Sequence, residues 1–160
     1  MYPAVDKAEK YWSENISTFS LAQSFSVVAP EYMASQQYGV AVDSSGNFLV
    51  YSSTADGHST GTPGWSCTTD IITTDAPDVS YLLGDCFQGG SSMGFTAWKI
   101  PASVGNDYAT LGEENYLYAA HSLGVGSPGF EVHGIWSHAK RVIQLNIFEK
   151  ARAFLSWWEE

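Results

Sequence analysis

The sequence predicts an α+β fold, in which a short N-terminal helix and a long amphipathic C-terminal helix pack on an antiparallel β-sheet. Two observations support this prediction. Near the C-terminus, Ile143, Ile147 and Phe154 recur at the spacing of one helix face. In the middle of the chain, short β-branched and aromatic runs alternate with glycine-rich turns, as they do in antiparallel sheets. We expect residues 1–160 to form a single domain with one hydrophobic core.

The first third of the chain combines helical and extended patterns. Residues 6–13 predict a short helix. Residues 20–37 are ambiguous. A helical stripe of Leu21, Phe25 and Val28 favours one or two helical turns followed by a break at Pro30, whereas residues 25–28 also fit an extended run. Residues 38–51 predict a β-hairpin, because both arms are β-branched or aromatic and a polar turn containing Gly46 joins them. The hairpin is the clearest strand prediction in the sequence.

Residues 52–78 are rich in serine, threonine and glycine, and we predict a long loop that is functional or mobile unless it hides an edge strand. A turn at Ser137 leads into the C-terminal helix. Between the loop and this turn lie four strand candidates, residues 79–83, 94–100, 115–121 and 130–136.

The charge balance excludes one class of partner. The formal net charge is −10, so a nucleic acid would be repelled and we expect none to bind. No apolar run reaches the roughly 18 residues of a transmembrane helix, and we predict no membrane span. The first residues do not resemble a signal peptide. We expect a soluble protein, in an extracellular setting or a virion rather than the cytoplasm.

Two residues are candidate nucleophiles. The segment 90–94 matches G-x-S-x-G, which would make Ser92 a nucleophile with His121 or His133 as base and Asp107 as acid. A strand-like run follows this motif where a helix is required, so we interpret it as a turn. Cys67 with His133 or His138 is the other candidate pair of nucleophile and base. A small hydrolase is therefore an alternative, and an enzyme is the less favoured interpretation.

The two cysteines and several aspartates have structural alternatives. Cys67 and Cys86 form either one disulfide or two free thiols. The carboxylates of Asp70, Asp75 and Asp78 are weak candidates for calcium binding, because their spacing is not that of a calcium loop. We predict no bound metal and no cofactor.

A possible titrating pair lies on the strand predicted for residues 130–136. Alternation places Glu131 and His133 on one face, and Phe130, Val132 and Trp136 on the other. By default this polar face is solvated, although the two side chains are close enough to pair.

The aromatic and basic residues indicate a binding surface. The sequence is 14% aromatic, which exceeds what a core of this size hides. We predict that Trp65 in the loop, with Trp157, Trp158, Lys150 and Arg152 on the final helix, contacts a partner. The cations of this helix also favour self-assembly against acidic faces of neighbouring copies.

These features favour a non-catalytic protein-binding or structural assembly module whose partner is another protein or copies of itself. A viral or secreted structural protein, or an acidic inhibitor or immunity-type protein, has this composition. A carbohydrate-binding domain that uses Trp65 is an alternative, with a glycan as possible partner. The order of elements is also similar to that of profilin-like and roadblock-like scaffolds, which would imply a cytoskeletal or signalling adaptor.

Overall fold

The computed structural model describes residues 2–159, which form a closed antiparallel barrel of eight strands with a helix at each end of the chain. The predicted α+β fold is therefore wrong, and so is the similarity of element order to profilin-like scaffolds. The strands are β1 (Phe19–Ala29), β2 (Tyr32–Val42), β3 (Asn47–Gly61), β4 (Gly64–Thr74), β5 (Gly84–Ala97), β6 (Ile100–Leu111), β7 (Tyr116–Gly126) and β8 (Gly129–Asn146). The helices are α1 (Pro3–Asn15) and α2 (Ile147–Glu159).

The strand order around the barrel is β1-β2-β3-β8-β5-β6-β7-β4, and β4 closes the ring by pairing with β1. The two ends of the barrel differ. Two-residue turns form the end that we call the turn end: 30–31, 62–63, 98–99 and 127–128. Longer connections, 43–46, 75–83 and 112–115, form the other end, which we call the loop end and which also carries both helices.

Strand register fixes the tilt and height of the barrel. A path along backbone partners that leaves β8 at Gly129 and crosses every strand returns to β8 at Ala139, ten residues further on. With standard strand spacings, this stagger gives a tilt of about 40°. A tilted strand of 11 residues, such as β1, then spans about 27 Å along the barrel axis.

The inside and outside of the barrel are inverted relative to an ordinary hydrophobic core. On β1, the small residues Ser20, Ala22 and Ser26 are buried, whereas Phe25 and Val27 are exposed. The same alternation continues around most of the barrel. Buried inward-facing polar side chains include Ser20, Ser26, Ser53, Ser59, Thr68, Asp70, Thr74, Ser103, Glu131, His133 and Ser137.

Apolar packing inside the barrel is concentrated at the loop end. A 3₁₀ turn, Val79–Leu82, inserts there, and Val79 is fully buried beside Leu49 and Tyr51. The buried carboxylate of Asp43 accepts a hydrogen bond from the Val79 amide at 3.0 Å, which ties this turn to the barrel. A smaller apolar group of Met33, Ala55 and Ile135 lies nearer the turn end. Inward-facing polar side chains occupy the space between these layers.

The C-terminal helix is shorter than predicted, because β8 continues through residues 137–146 before α2 begins. Long pairing with β3, up to Asn47 opposite Asn146, keeps this segment extended. The predicted core-facing stripe points to solvent: Phe154 is 59% exposed and Trp158 is 73% exposed. Among residues 2–159, no helix is long and apolar enough to cross a bilayer, as the sequence predicts.

Three other sequence predictions have clear outcomes. The hairpin over residues 38–51 is confirmed as the paired ends of β2 and β3. The long loop over residues 52–78 is wrong, since most of it forms β3 and β4 with a two-residue turn between them. The helical turns in residues 20–37 are also wrong, because this stretch forms the hairpin of β1 and β2.

Candidate functional site

The barrel interior holds one hydrogen-bonded cluster of ionisable side chains. His133 Nδ1 lies 2.8 Å from Glu131 Oε1, and His133 Nε2 lies 2.5 Å from Asp107 Oδ1. The hydroxyls of Ser92 and Ser59 donate to the two oxygens of the Glu131 carboxylate at 2.9 and 2.7 Å. When both carboxylates are ionised they can only accept hydrogen bonds, so both ring nitrogens of His133 must donate and the imidazole is cationic.

The predicted pairing of Glu131 and His133 is confirmed, but the face that they share is buried rather than solvated. Asp107 reaches this cluster because Gly90 lies opposite it on β5. A Cβ on Gly90 would overlap the Asp107 carboxylate. The first glycine of the G-x-S-x-G segment therefore provides space for a buried ion pair, within a strand rather than a nucleophile turn.

This cluster brings together Ser92, His133 and Asp107 but does not arrange them for nucleophilic catalysis. A serine nucleophile must donate its proton to an unprotonated imidazole nitrogen. Here Ser92 donates to Glu131, and carboxylates occupy both nitrogens of His133. Cys67, the other candidate nucleophile, lies on the outer side of β4. The geometry thus gives no support to a hydrolase.

A second group of polar side chains in the interior surrounds Asp70 on β4. Asp70 is 5% exposed and accepts hydrogen bonds from Ser24, Thr68 and Gln37, with Thr68 Oγ1 at 2.9 Å and Gln37 Nε2 at 2.7 Å. These partners satisfy the carboxylate within the chain. The two groups line a common cavity of about 50 Å³, which is large enough for a few water molecules and too small for a substrate.

The other two aspartates predicted as metal ligands lie apart from Asp70. Asp75 accepts a hydrogen bond from the Leu117 amide at 2.6 Å, and Asp78 accepts one from the Ser80 amide at 2.6 Å. Both carboxylates therefore fix loop backbone at the loop end. Within residues 2–159, no group of three or more His, Cys, Asp or Glu side chains is placed to hold a metal ion.

The two cysteines are free thiols, so the disulfide alternative is not observed. Cys67 lies on β4 and Cys86 on β5, and these strands are not neighbours in the barrel. The Cys67 side chain faces outward, whereas Cys86 packs against the apolar layer at the loop end.

The outer wall of the barrel is the largest feature that the chain leaves uncovered. Leu117 and Leu123 on β7 are each 66% exposed, and Trp136 on β8 is 64% exposed. Large exposed apolar side chains occur on seven of the eight strands. They are Phe19, Leu21, Phe25, Val27, Tyr32, Tyr38, Val40, Trp65, Ile71, Phe87, Met93, Phe95, Ile100, Tyr108, Leu117, Leu123, Val125, Phe130, Val132, Trp136, Val142 and Ile143. A patch of this extent is unusual on a monomer in water.

Aromatic side chains mark the turn end of this wall. At the turn end lie Tyr32, Trp65, Phe95, Trp98 and Phe130, and all five are exposed. Trp65, which we predicted as a binding residue, belongs to this belt.

The predicted contact residues on the final helix lie at the opposite end of the barrel from Trp65. Trp157 and Trp158 on α2 are exposed, as is Lys150. Arg152 instead faces α1, where it pairs with Asp6 at 2.9 Å and with Glu9. Those hydrogen bonds raise the pKa of Arg152 and keep it charged. The predicted contact residues therefore do not form one surface.

Polar side chains on the wall fall into two kinds. Several pair with a neighbour on the wall: the Thr69 hydroxyl donates to Gln23 Oε1 at 3.1 Å, and His121 lies 2.6 Å from Asn106. The second kind lies along β3, whose outward positions from residue 54 to residue 60 carry no large apolar side chain.

Comparison of the chain with protein-family models, with curated proteins and with solved structures gave no match. Its function must therefore be argued from the inverted barrel itself. The sequence contains the signal for this feature, since residues 19–27 alternate large apolar with small or polar side chains. Sequence reasoning missed it, because a polar strand face is normally taken to be the solvated one.

Proposed function

We propose that this protein is a non-catalytic structural barrel embedded in a lipid bilayer. The observation that carries this proposal is the inversion of the barrel, which has an apolar outside and a hydrogen-bonded polar inside. Membrane barrels have this arrangement, because lipid replaces water around the wall and a closed ring leaves no unpaired strand edge.

The energetics favour lipid over water around the wall. Moving one large apolar side chain from water to an apolar medium gains roughly 1.5–3 kcal/mol. The many exposed apolar residues of the wall therefore favour lipid by an amount on the order of tens of kcal/mol. The interior carboxylates of Glu131 and Asp70, in contrast, already have hydrogen-bond partners within the chain.

The dimensions of the barrel also support this proposal. A strand of 11 residues tilted by about 40° spans the apolar band of roughly 25–30 Å that a bilayer presents. The exposed aromatic belt at the turn end lies where such a band would meet water, which is the preferred position of tryptophan and tyrosine. Trp157 and Trp158 provide exposed aromatic rings at the loop end.

This proposal replaces the wider prediction of no membrane span, which considered helices alone. The narrower prediction of no transmembrane helix stands for residues 2–159. The proposal keeps the predicted class, a structural module without catalysis. The support for that part is the small interior cavity and the carboxylates that occupy both nitrogens of His133.

Reconstitution into vesicles tests the proposal. The protein, folded in detergent, is diluted into phosphatidylcholine vesicles, which are then washed with alkaline carbonate and floated on a density gradient. We expect the protein to float with the vesicles after the wash. We also expect lipids brominated on their acyl chains to quench its tryptophan fluorescence.

The opposite result has a specific meaning. A barrel that stays in the aqueous fraction as a discrete oligomer, with no quenching by brominated lipid, would show that other copies cover the wall. That outcome would overturn the membrane proposal and favour self-assembly in water.

A further inference from the structure

Within residues 2–159, the longest polar interruption of the apolar wall lies on β3. The outward side chains in the middle of β3 are Thr54, Asp56, His58 and Thr60, and all four are exposed. We call this stripe the β3 seam. In the part of the chain that the structure describes, no other strand has four polar side chains in succession on its outer face.

The β3 seam extends across much of the barrel. Thr54 pairs with Gln36 on β2 and His138 on β8, and both of these side chains also face outward and are exposed. Thr60 lies next to the last residue of β3, at the turn end. A barrel held in a bilayer would thus expose this stripe to the acyl chains over most of their depth.

The chain supplies only some of the hydrogen bonds that the polar side chains of the β3 seam can make. His58 Nδ1 lies 3.2 Å from the Glu31 carbonyl oxygen, and the Tyr32 hydroxyl donates to Asp56 at 3.4 Å. The second contact is long for a hydrogen bond that involves a hydroxyl and a carboxylate. Ionisable side chains in a bilayer normally face protein or a water-filled cavity, because contact with lipid is costly.

We infer that the β3 seam is the contact surface between two copies of this barrel in the membrane. This inference rests on the proposed function, because the seam needs a partner only if lipid surrounds the rest of the wall. A two-fold axis beside β3 would place the same stripe of each copy against the other.

The chemistry of the stripe suits a second copy. It contains a carboxylate, Asp56, and an imidazole, His58, two positions apart on one face. At a two-fold contact where the tilted stripes cross, Asp56 of one copy would meet His58 of the other only between successive depths, and the threonine hydroxyls would both donate and accept. Large apolar side chains flank the stripe on β2 and β8, including Tyr32 and Trp136, and would close the rim of the contact.

Cysteine cross-linking in the bilayer tests this inference. The background variant is Cys67→Ser with Cys86→Ser, which removes both native thiols. Thr54→Cys then places a thiol in the seam, and Leu123→Cys places one on β7, four strands away on the opposite wall. Both variants are floated with phosphatidylcholine vesicles at low protein-to-lipid ratio and oxidised briefly.

We expect Thr54→Cys to form covalent dimers and Leu123→Cys to remain monomeric. Replacing the two ionisable residues, Asp56→Leu with His58→Leu, should lower the yield of Thr54→Cys dimers at least about tenfold, which corresponds to a loss of 1.4 kcal/mol. The barrel of this variant should still float with the vesicles.

Each other outcome has a distinct meaning. Monomers at both positions in floated barrels would overturn the seam while leaving the membrane proposal intact, and so would dimers at both positions, which indicate random collision. Undiminished dimers in the double leucine variant would show that apolar contacts rather than the seam residues hold the copies together. Failure of the unsubstituted protein to float would instead count against the proposed function.

Discussion

The inside and the outside of the barrel differ in whether the chain itself supplies the groups that their side chains contact. Ser92 and Met93 are adjacent on β5 and show the difference: Ser92 points inward and donates to Glu131, whereas Met93 points outward and is 47% exposed. The chain supplies hydrogen-bond partners for polar side chains on the inner face. It leaves the apolar side chains on the outer face uncovered. The contacts of the interior therefore lie within the chain, whereas the apolar side chains of the exterior need contacts from outside it.

This division changes what holds the barrel together. A water-soluble domain gains most of its stability from an apolar core. Here the buried apolar side chains form only small groups, such as the one around Val79 at the loop end. Backbone pairing around the closed ring and the interior polar network therefore carry a larger share of the specificity, and under the membrane proposal contact with lipid would supply the hydrophobic gain.

The largest loss of stability is expected from a substitution inside the barrel. His133→Leu removes the cationic partner of two carboxylates, the buried Glu131 and the partly buried Asp107, and leaves both without an opposite charge. We expect a loss of about 3–5 kcal/mol in the free energy of unfolding. Urea denaturation of the barrel in vesicles, followed by tryptophan fluorescence, measures this loss.

A neutralised variant provides the control for this prediction. Combining His133→Leu with Glu131→Gln and Asp107→Asn removes the charges together, so most of the lost stability should return. If the single variant costs less than about 0.5 kcal/mol, the interior is hydrated and the contrast between inside and outside is weaker than the structure indicates.

The second test is made on the wall. Leu123→Arg places a charge well inside the ends of β7, where we propose that lipid surrounds the barrel. An arginine near the middle of a bilayer costs a membrane barrel about 2–4 kcal/mol. On a surface exposed to water, the same change would cost less than about 0.5 kcal/mol. Urea denaturation in vesicles distinguishes the two values.

Thr110→Arg is the matched control for the wall. Thr110 is exposed, points outward and lies next to the last residue of β6, at the loop end. A charge at that depth costs a membrane barrel about 0–1 kcal/mol. Equal and small losses for the two arginine variants would indicate that the wall faces water.

The sequence predicted local pairing better than it predicted the fold. The hairpin over residues 38–51 was identifiable because its turn and both arms lie within 14 residues. The helical stripe assigned around Leu21 and Phe25 failed because a spacing of four places two residues on the same side of a helix and also of a strand. The apolar residues Phe19 and Val27 fit the strand, since each lies an even number of positions away.

The long loop was predicted for the same physical reason that the barrel is inverted. Residues 52–78 contain many serines and threonines, which in a water-soluble protein indicate an exposed connection. Ser53, Ser59 and Thr68 instead point into a polar interior. Composition alone cannot distinguish a solvated loop from a strand whose inner face is polar.

The candidate site was partly predictable from spacing along one strand. The pairing of Glu131 with His133 follows from alternation on β8, which the sequence contains. The approach of Asp107 does not, because it depends on β6 and β8 lying on either side of β5. Strand order in a closed barrel is set by pairings between distant segments, and no local pattern encodes it.

The smallest expected loss of stability comes from adding a methyl group at one of two neighbouring glycines of β5, one facing inward and the other outward. Gly90 faces inward, and Gly90→Ala would press a methyl group against the Asp107 carboxylate and displace it from His133. We expect a loss of about 1–3 kcal/mol in the free energy of unfolding, as for other overpacked interiors.

Gly89→Ala is the matched control, since the nearest atom to a Cβ there is the His133 carbonyl oxygen at 4.0 Å. Its unfolding free energy should change by less than about 0.5 kcal/mol. Because the two variants share a strand, an amino-acid type and the same gain in side-chain volume, any difference between their urea midpoints reports which side of the wall the new methyl group occupies. Equal losses would mean that the interior around Asp107 yields as readily as the outside, and that the polar cluster does not fix the register of β5.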